Sequence, residues 1–201
     1  MLVVVVVLSF VGYDYYTRHK DLPLVEFPAY RSKGNPQAPL KIAEFLDYTC
    51  YECALGSILL KAYFAEHPKD IYYGVKYFPM GELNSTVGAV YSECAGRQNK
   101  FWEFHDLLFA KQEDWRTMLK IKPPLVKLAQ EAGLDLTKLD QCVQDRGVKH
   151  LIEKEKEFGE SRMVQSTPTY FVNGETIVGP AGLERRLSQY FIDPRKTHKI
   201  K

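Results

Sequence analysis

The sequence of 201 residues is short of several things, and each shortage excludes something. It holds four cysteines, of which only Cys50 and Cys53 stand close together. Structural zinc usually needs two close pairs of Cys or His. Cys94 and Cys142 are 48 residues apart, each alone on a predicted helix with no histidine at ligand spacing. A zinc site is therefore disfavoured and no metal ligands are assigned. Charge of one sign is also scarce. The net charge is +2, with Lys and Arg spread among Asp and Glu. Without a basic stripe, a nucleic-acid partner is not expected. No apolar run reaches the roughly 18–20 residues of a membrane-spanning helix, and no internal repeat is visible.

What is present is a chain that should fold: 45% of residues are hydrophobic and 13% aromatic, enough for one good core. Leu2 to Tyr13 is an apolar run of 12 residues containing five successive valines. Tyr13, Tyr15, Tyr16, Arg18, His19 and Lys20 follow, a set suited to a membrane–water interface. Residues 1–20 are read as an uncleaved anchor or a signal segment with an incomplete start. Residues 21–39 contain four prolines and no periodicity, and are read as a linker or extended arm. RKTHKIK after Pro194, within the tail 192–201, reads as solvated.

Leu40 to Leu46 is short, apolar and strand-like, and ends in a polar turn at Asp47–Thr49. From Cys50 a helical period begins, with Ala54, Ile58, Leu59, Ala62 and Tyr63 on one face up to His67–Pro68. Ile71 to Phe78 is a second strand stopped by Pro79, which completes a βαβ unit. Leu83 to about Gly159 reads as helical throughout, with segments at 88–98, 100–112, 125–132, 136–144 and 148–158. Thr167 to Pro180 then gives two strands joined by Asn173–Gly174, a tight-hairpin signal, and Leu183 to Tyr190 a closing amphipathic helix.

This order places Cys50 at a strand-to-helix junction. The first turn of a helix presents unpaired N–H groups and the positive end of the dipole, both of which stabilise a thiolate. Cys53, one turn deeper, is near enough to close a disulfide with it. An exposed activated thiol with a buried partner is what thiol–disulfide exchange requires.

EFLDYTCYEC, GRQNKFWEFHDLLF and TPTYFVNGETIVGP together resemble the DsbA-like thiol–disulfide oxidoreductases, over about Leu40 to Tyr190. The resemblance implies an α/β thioredoxin fold, with a helical insertion between the βαβ unit and the C-terminal β-hairpin–helix. Its core would be residues 40–80 and 163–191, and the inserted helical subdomain 81–162. It also implies roles: Cys50 as nucleophile, Cys53 as resolving thiol, and Thr167–Pro168 as the cis-proline loop that pairs with substrate. Glu44, six residues before Cys50 in an apolar strand, matches the family's buried acid and would shuttle the proton of Cys53. Desolvation should raise its pKa.

The implied reaction is disulfide introduction into cysteine-containing exported polypeptides, outside the cytoplasmic membrane and without a dissociable cofactor. A membrane quinone-linked oxidase would regenerate the disulfide. A reductase or isomerase fed by a membrane electron donor is the alternative within the same chemistry. A peptide-binding chaperone on the same fold is the alternative outside it.

Between the cysteines stand Tyr51 and Glu52, where many family members have His or Pro. Tyr51 is a candidate for substrate contact and, with Glu52, for redox tuning; Tyr48 is a candidate for either a substrate groove or packing. A carboxylate at about 7 Å from the Cys50 sulfur opposes its ionisation by roughly 0.6 kcal/mol in water, and about 2.4 at an effective dielectric of 20. In an oxidising compartment Cys94 and Cys142 are expected to pair. Phe101, Trp102, Phe104, Leu107 and Leu108 follow helical spacing and are expected in the core. His67, His105 and His150 stand alone and receive no catalytic role.

Overall fold

A computed structural model describes residues 26–81 and 83–192. The expected anchor and most of the expected tail lie outside the described residues. No helix among the described residues is long and apolar enough to cross a membrane.

Strand β2, Leu40–Leu46, is buried along its whole length except at Lys41. Being covered on both faces, it reads in sequence as a continuous apolar run rather than an alternation. Helix α1, Tyr51–Glu66, returns the chain to β3, Ile71–Tyr77, which pairs parallel to β2 from Leu40↔Ile71 to Leu46↔Tyr77. Five helices follow: α2 Leu83–Gly96, α3 Phe101–Ala110, α4 Lys122–Glu131, α5 Leu136–Gln144 and α6 Arg146–Ser161. Their starts are written locally. Asp135 caps α5 by accepting from the Thr137 and Lys138 N–H groups, Asp145 caps α6 through Gly147 N–H, and a proline opens α4. Strands β4, Thr169–Val172, and β5, Glu175–Val178, form the hairpin, and helix α7, Pro180–Ile192, ends the described chain. Asn173 and Gly174 both have positive φ, 49° and 86°, as a two-residue hairpin turn demands.

Part of the expected linker is built into the fold. Ala29–Arg31 makes a 3-10 turn, and Ser32–Gly34 forms β1, antiparallel to β3, giving the sheet order β1-β3-β2-β4-β5. A strand of three residues between prolines is too short to show a period, which is why only its pairing reveals it. The break expected at Gly159 is also absent, since α6 runs on to Ser161. Glycine is needed there for close approach: a Cβ at 159 would lie 2.6 Å from the Phe78 ring and 3.0 Å from that of Phe45.

The sheet separates two apolar clusters. Ala43, Phe45, Phe78, Val164 and Phe171 form the smaller. On the other face Ile42, Leu46, Tyr73, Tyr77 and Tyr170 join α1, α7 and the inserted helices in one large core. The insertion therefore shares its core with the sheet. Phe101, Phe104 and Leu108 lie within it, with Trp102 and Leu107 packed at its edge.

Candidate active site

The site begins where β2 ends. Asp47, buried, organises the turn: its carboxylate accepts from the Thr49 N–H and hydroxyl, both at 2.8 Å, from the Met80 N–H at 2.9 Å, and from the Ser85 hydroxyl. Its carbonyl accepts from Cys50 N–H at 3.1 Å. Cys50 is thus delivered as the residue capping α1, half-buried, and Cys53 as a fully buried residue one turn on. Both are free thiols. The Thr167–Pro168 peptide bond is cis, and the Cys50 thiol donates to the Thr167 carbonyl at 3.2 Å. The topology thereby brings residues 50 and 167 into contact.

The two thiols are driven apart in acidity. Cys50 is held down to about 6, first by the hydrogen bond from Cys53, then by the Thr167 side chain and the N–H groups of Cys53 and Glu52; burial opposes them. Cys53 goes the other way, pushed well above the ordinary thiol range by burial, by its bond to Cys50 and by the nearby charge of Glu44. One thiol is poised as a nucleophile near neutral pH and the other as a reserve proton holder.

Glu44 is 0% exposed at the middle of the sheet, between Val75 on β3 and Tyr170 on β4. Burial raises its carboxyl to about 7, against hydrogen bonding from Tyr73 and Tyr170. The Tyr73 hydroxyl donates to one carboxyl oxygen, while the other oxygen is buried without a well-formed partner among the described residues. Gly56 makes room here, since a Cβ at 56 would collide with the Tyr170 hydroxyl and lie 3.8 Å from Glu44 Oε1. Helix α1 can therefore lie close over the acid.

Tyr51 is 58% exposed beside Cys50, and Glu52 points into water. The backbone N–H of Glu52 assists the Cys50 thiolate, a contribution its side-chain charge does not reveal in sequence. Tyr48 is fully buried and packs rather than lining a groove. Cys94 and Cys142 are disulfide-bonded, tying α2 to α5. Among the described residues no cluster of three or more His, Cys, Asp or Glu side chains could hold a metal ion.

Two buried side chains support the redox turn. His105 is buried in contact with the Tyr48 hydroxyl at 3.0 Å and the Ser57 hydroxyl at 3.3 Å, and burial lowers its imidazole to about 3, keeping it neutral. Its spacing from Phe101 and Phe109 on α3 was the available signal. Gln112 donates its side-chain amide to the carbonyls of Tyr48 and Cys50. Nothing in the sequence marks it.

A family model described as thioredoxin matches residues 28–190. The chain belongs to the thioredoxin family. Its thioredoxin fold is of the DsbA type, superposing on BdbD from Bacillus subtilis with a TM-score of 0.70 at 22% identity, over 81% of this chain and 93% of that one. For alpha-DsbA1 from Wolbachia pipientis the TM-score is 0.72 at 20% identity, over 87% and 94%. At these identities the likeness establishes the fold.

Among curated relatives of this thioredoxin-family chain, a probable disulfide bond formation protein D from Bacillus cereus is 25% identical over 185 residues, 85% of this chain and 83% of that protein. A Na(+)/H(+) antiporter NhaA 1 from Mycobacterium sp. is 32% identical over 154 residues, 74% of this chain. The chain spans about a quarter of the antiporter relatives it matches, 23% of one and 24% of another.

Proposed function

We propose that this thioredoxin-family protein catalyses dithiol–disulfide exchange through Cys50 and Cys53, in the direction that introduces disulfides into exported polypeptides. A substrate thiolate attacks Cys50 Sγ, the Cys50–Cys53 bond breaks, and Cys53 leaves as a thiolate that takes a proton from Glu44. A second substrate thiolate then attacks the substrate sulfur of the mixed disulfide and expels Cys50. The substrate is oxidised by two electrons and the enzyme is left as the dithiol. Cys50 is the better leaving group because its thiolate is the stabilised one. The loop at Thr167–Pro168 and the exposed ring of Tyr51 border the sulfur where substrate would lie.

The observation that carries this reading is the placement of Cys50 at the start of α1, half-buried and bonded to the Thr167 carbonyl at 3.2 Å, with Cys53 fully buried one turn deeper. This placement lowers the Cys50 pKa to about 6 and raises that of Cys53. A stabilised thiolate favours the reduced enzyme and so makes its disulfide the stronger oxidant. The Cys94–Cys142 bond suits an oxidising compartment, which supports a place outside the cytoplasmic membrane. Regeneration there would fall to a membrane quinone-linked oxidase. The test is the reduction potential of Cys50–Cys53 in the full chain, equilibrated against glutathione and read by alkylation and mass. A potential well above the glutathione pool is expected. One near the roughly −270 mV of thioredoxin would reverse the direction, and no reversible disulfide would end the redox reading.

A further inference from the structure

The active-site turn is gripped by the insertion at every residue from Asp47 to Cys50 except Thr49. Asp47 is bonded to Met80 N–H and to Ser85 on α2. The Tyr48 hydroxyl bonds Ser92 on α2 at 2.8 Å and His105 on α3 at 3.0 Å. The contact that reaches the cysteine itself comes from Gln112, in the 3-10 turn Gln112–Asp114 after α3. This side chain is buried, and its one amide nitrogen donates at 2.8 Å to the Tyr48 carbonyl and at 2.9 Å to the Cys50 carbonyl. Both amide hydrogens are thus committed to the redox turn.

The Cys50 carbonyl is the one that should accept the first intrahelical bond of α1. Here that bond, from Ala54 N–H, is long at 3.4 Å, and Gln112 provides the shorter one. The orientation of the peptide plane after Cys50 is therefore set from outside the helix. That plane carries the Tyr51 N–H and starts the helical turn whose next N–H groups, those of Glu52 and Cys53, stabilise the Cys50 thiolate. We propose that Gln112 is a positioning residue for the exchange reaction: by holding the Tyr48 and Cys50 carbonyls together it aims the first turn of α1 at the Cys50 sulfur. The insertion then acts as a clamp on the redox centre as well as a cover.

The titratable groups facing the sulfur are Cys53 on α1, Glu44 on β2 and Tyr170 on β4. Gln112 is uncharged, so replacing it alters their field only through geometry. In the full chain, Gln112→Met keeps the length and removes both donors. The thiolate absorbance midpoint of Cys50 should rise by about one unit. The equilibrium constant for oxidising glutathione should fall about tenfold, or about 30 mV for two electrons. Leu139→Ala, which opens a cavity in the same insertion away from the turn, should lower thermal stability and leave both readouts in place.

An unchanged midpoint and equilibrium in Gln112→Met overturns the proposal, as does an equal shift in Leu139→Ala. If Gln112→Met does not fold, Gln112→Asn, one methylene shorter and able to reach one carbonyl, should give a smaller shift in the same direction. No shift there also overturns it. The proposal rests on the redox reading above, and the two fail differently. A wild-type chain without a reversible Cys50–Cys53 disulfide removes both, whereas a normal wild type with an unmoved variant removes the positioning role alone.

Discussion

Glu44 and Glu155 are both carboxylates withdrawn from water, and the fold treats them in opposite ways. Glu155 on α6 accepts from the Arg31 guanidinium at 2.7 and 2.8 Å, from Lys76 at 3.1 Å and from the Tyr77 N–H at 2.9 Å. Arg31 also meets Glu93 at 3.4 Å and lies over the Tyr77 ring at 4.6 Å. Every oxygen has a charged or backbone donor, and the carboxylate fastens the N-terminal arm to the sheet and insertion. Glu44 has phenols for neighbours and, among the described residues, one oxygen without a well-formed partner, while Lys33, whose charge acts on it, sits over the Trp102 ring at 4.0 Å. Burial without a counter-ion is costly and yields a titratable group; burial with one yields a fastener.

Breaking the fastener should have the largest effect. Glu155→Leu leaves Arg31 and Lys76 without their main partner and should cost about 3–5 kcal/mol, measured by urea unfolding at neutral pH. An unchanged midpoint would mean Glu93 alone satisfies Arg31.

Glu44→Gln should act with the opposite sign. The folded pKa is raised from 4.5 to about 7. Below the lower value the carboxyl is protonated in both states and stability is fully retained. As pH rises through the window to about 7 the unfolded chain ionises first, and about 3 kcal/mol is lost. The Gln variant should therefore be more stable than the wild type above pH 7 and converge with it below 4.5, while exchange slows roughly 10²-fold. Equal stability at pH 8 would mean that Glu44 is ionised at no cost.

Gly56→Ala probes the same acid from the helix side. The new methyl displaces the Tyr170 hydroxyl, costing about 1–3 kcal/mol, and loss of that phenol should raise the Glu44 pKa further. Thermal unfolding and the pH profile of exchange read the two effects. The smallest change concerns a third acid, Glu52, which keeps its water. Glu52→Gln should lower the Cys50 midpoint by about half a unit at most, read by thiolate absorbance. A larger shift would place its carboxylate in a low-dielectric path to the sulfur.

Much of the site was legible because its parts are local. Strand, polar turn and helical period around Cys50 lie within one stretch of chain, and the Asn173–Gly174 turn carries its own φ requirement. Glu44 stood out as an acid inside an apolar run. Glu155 did not, because it lies in the charged run EKEKE of α6. Its alignment with Val148, Ile152 and Gly159 on one helical face was the only trace. Gln112, an ordinary polar residue in a loop, left none.

The sequence alone determined the βαβ unit, the helix start that activates a thiol, the caps of α5 and α6, and the hairpin, since each depends on residues a few positions apart. Tertiary structure decided which acid is solitary and which is paired, which carbonyl Gln112 grips, and that residues of the N-terminal arm complete the sheet. Desolvation and partnership depend on atoms brought together from afar: Arg31 and Glu155 are 124 residues apart, Cys50 and Thr167 are 117. No local pattern encodes such a distance.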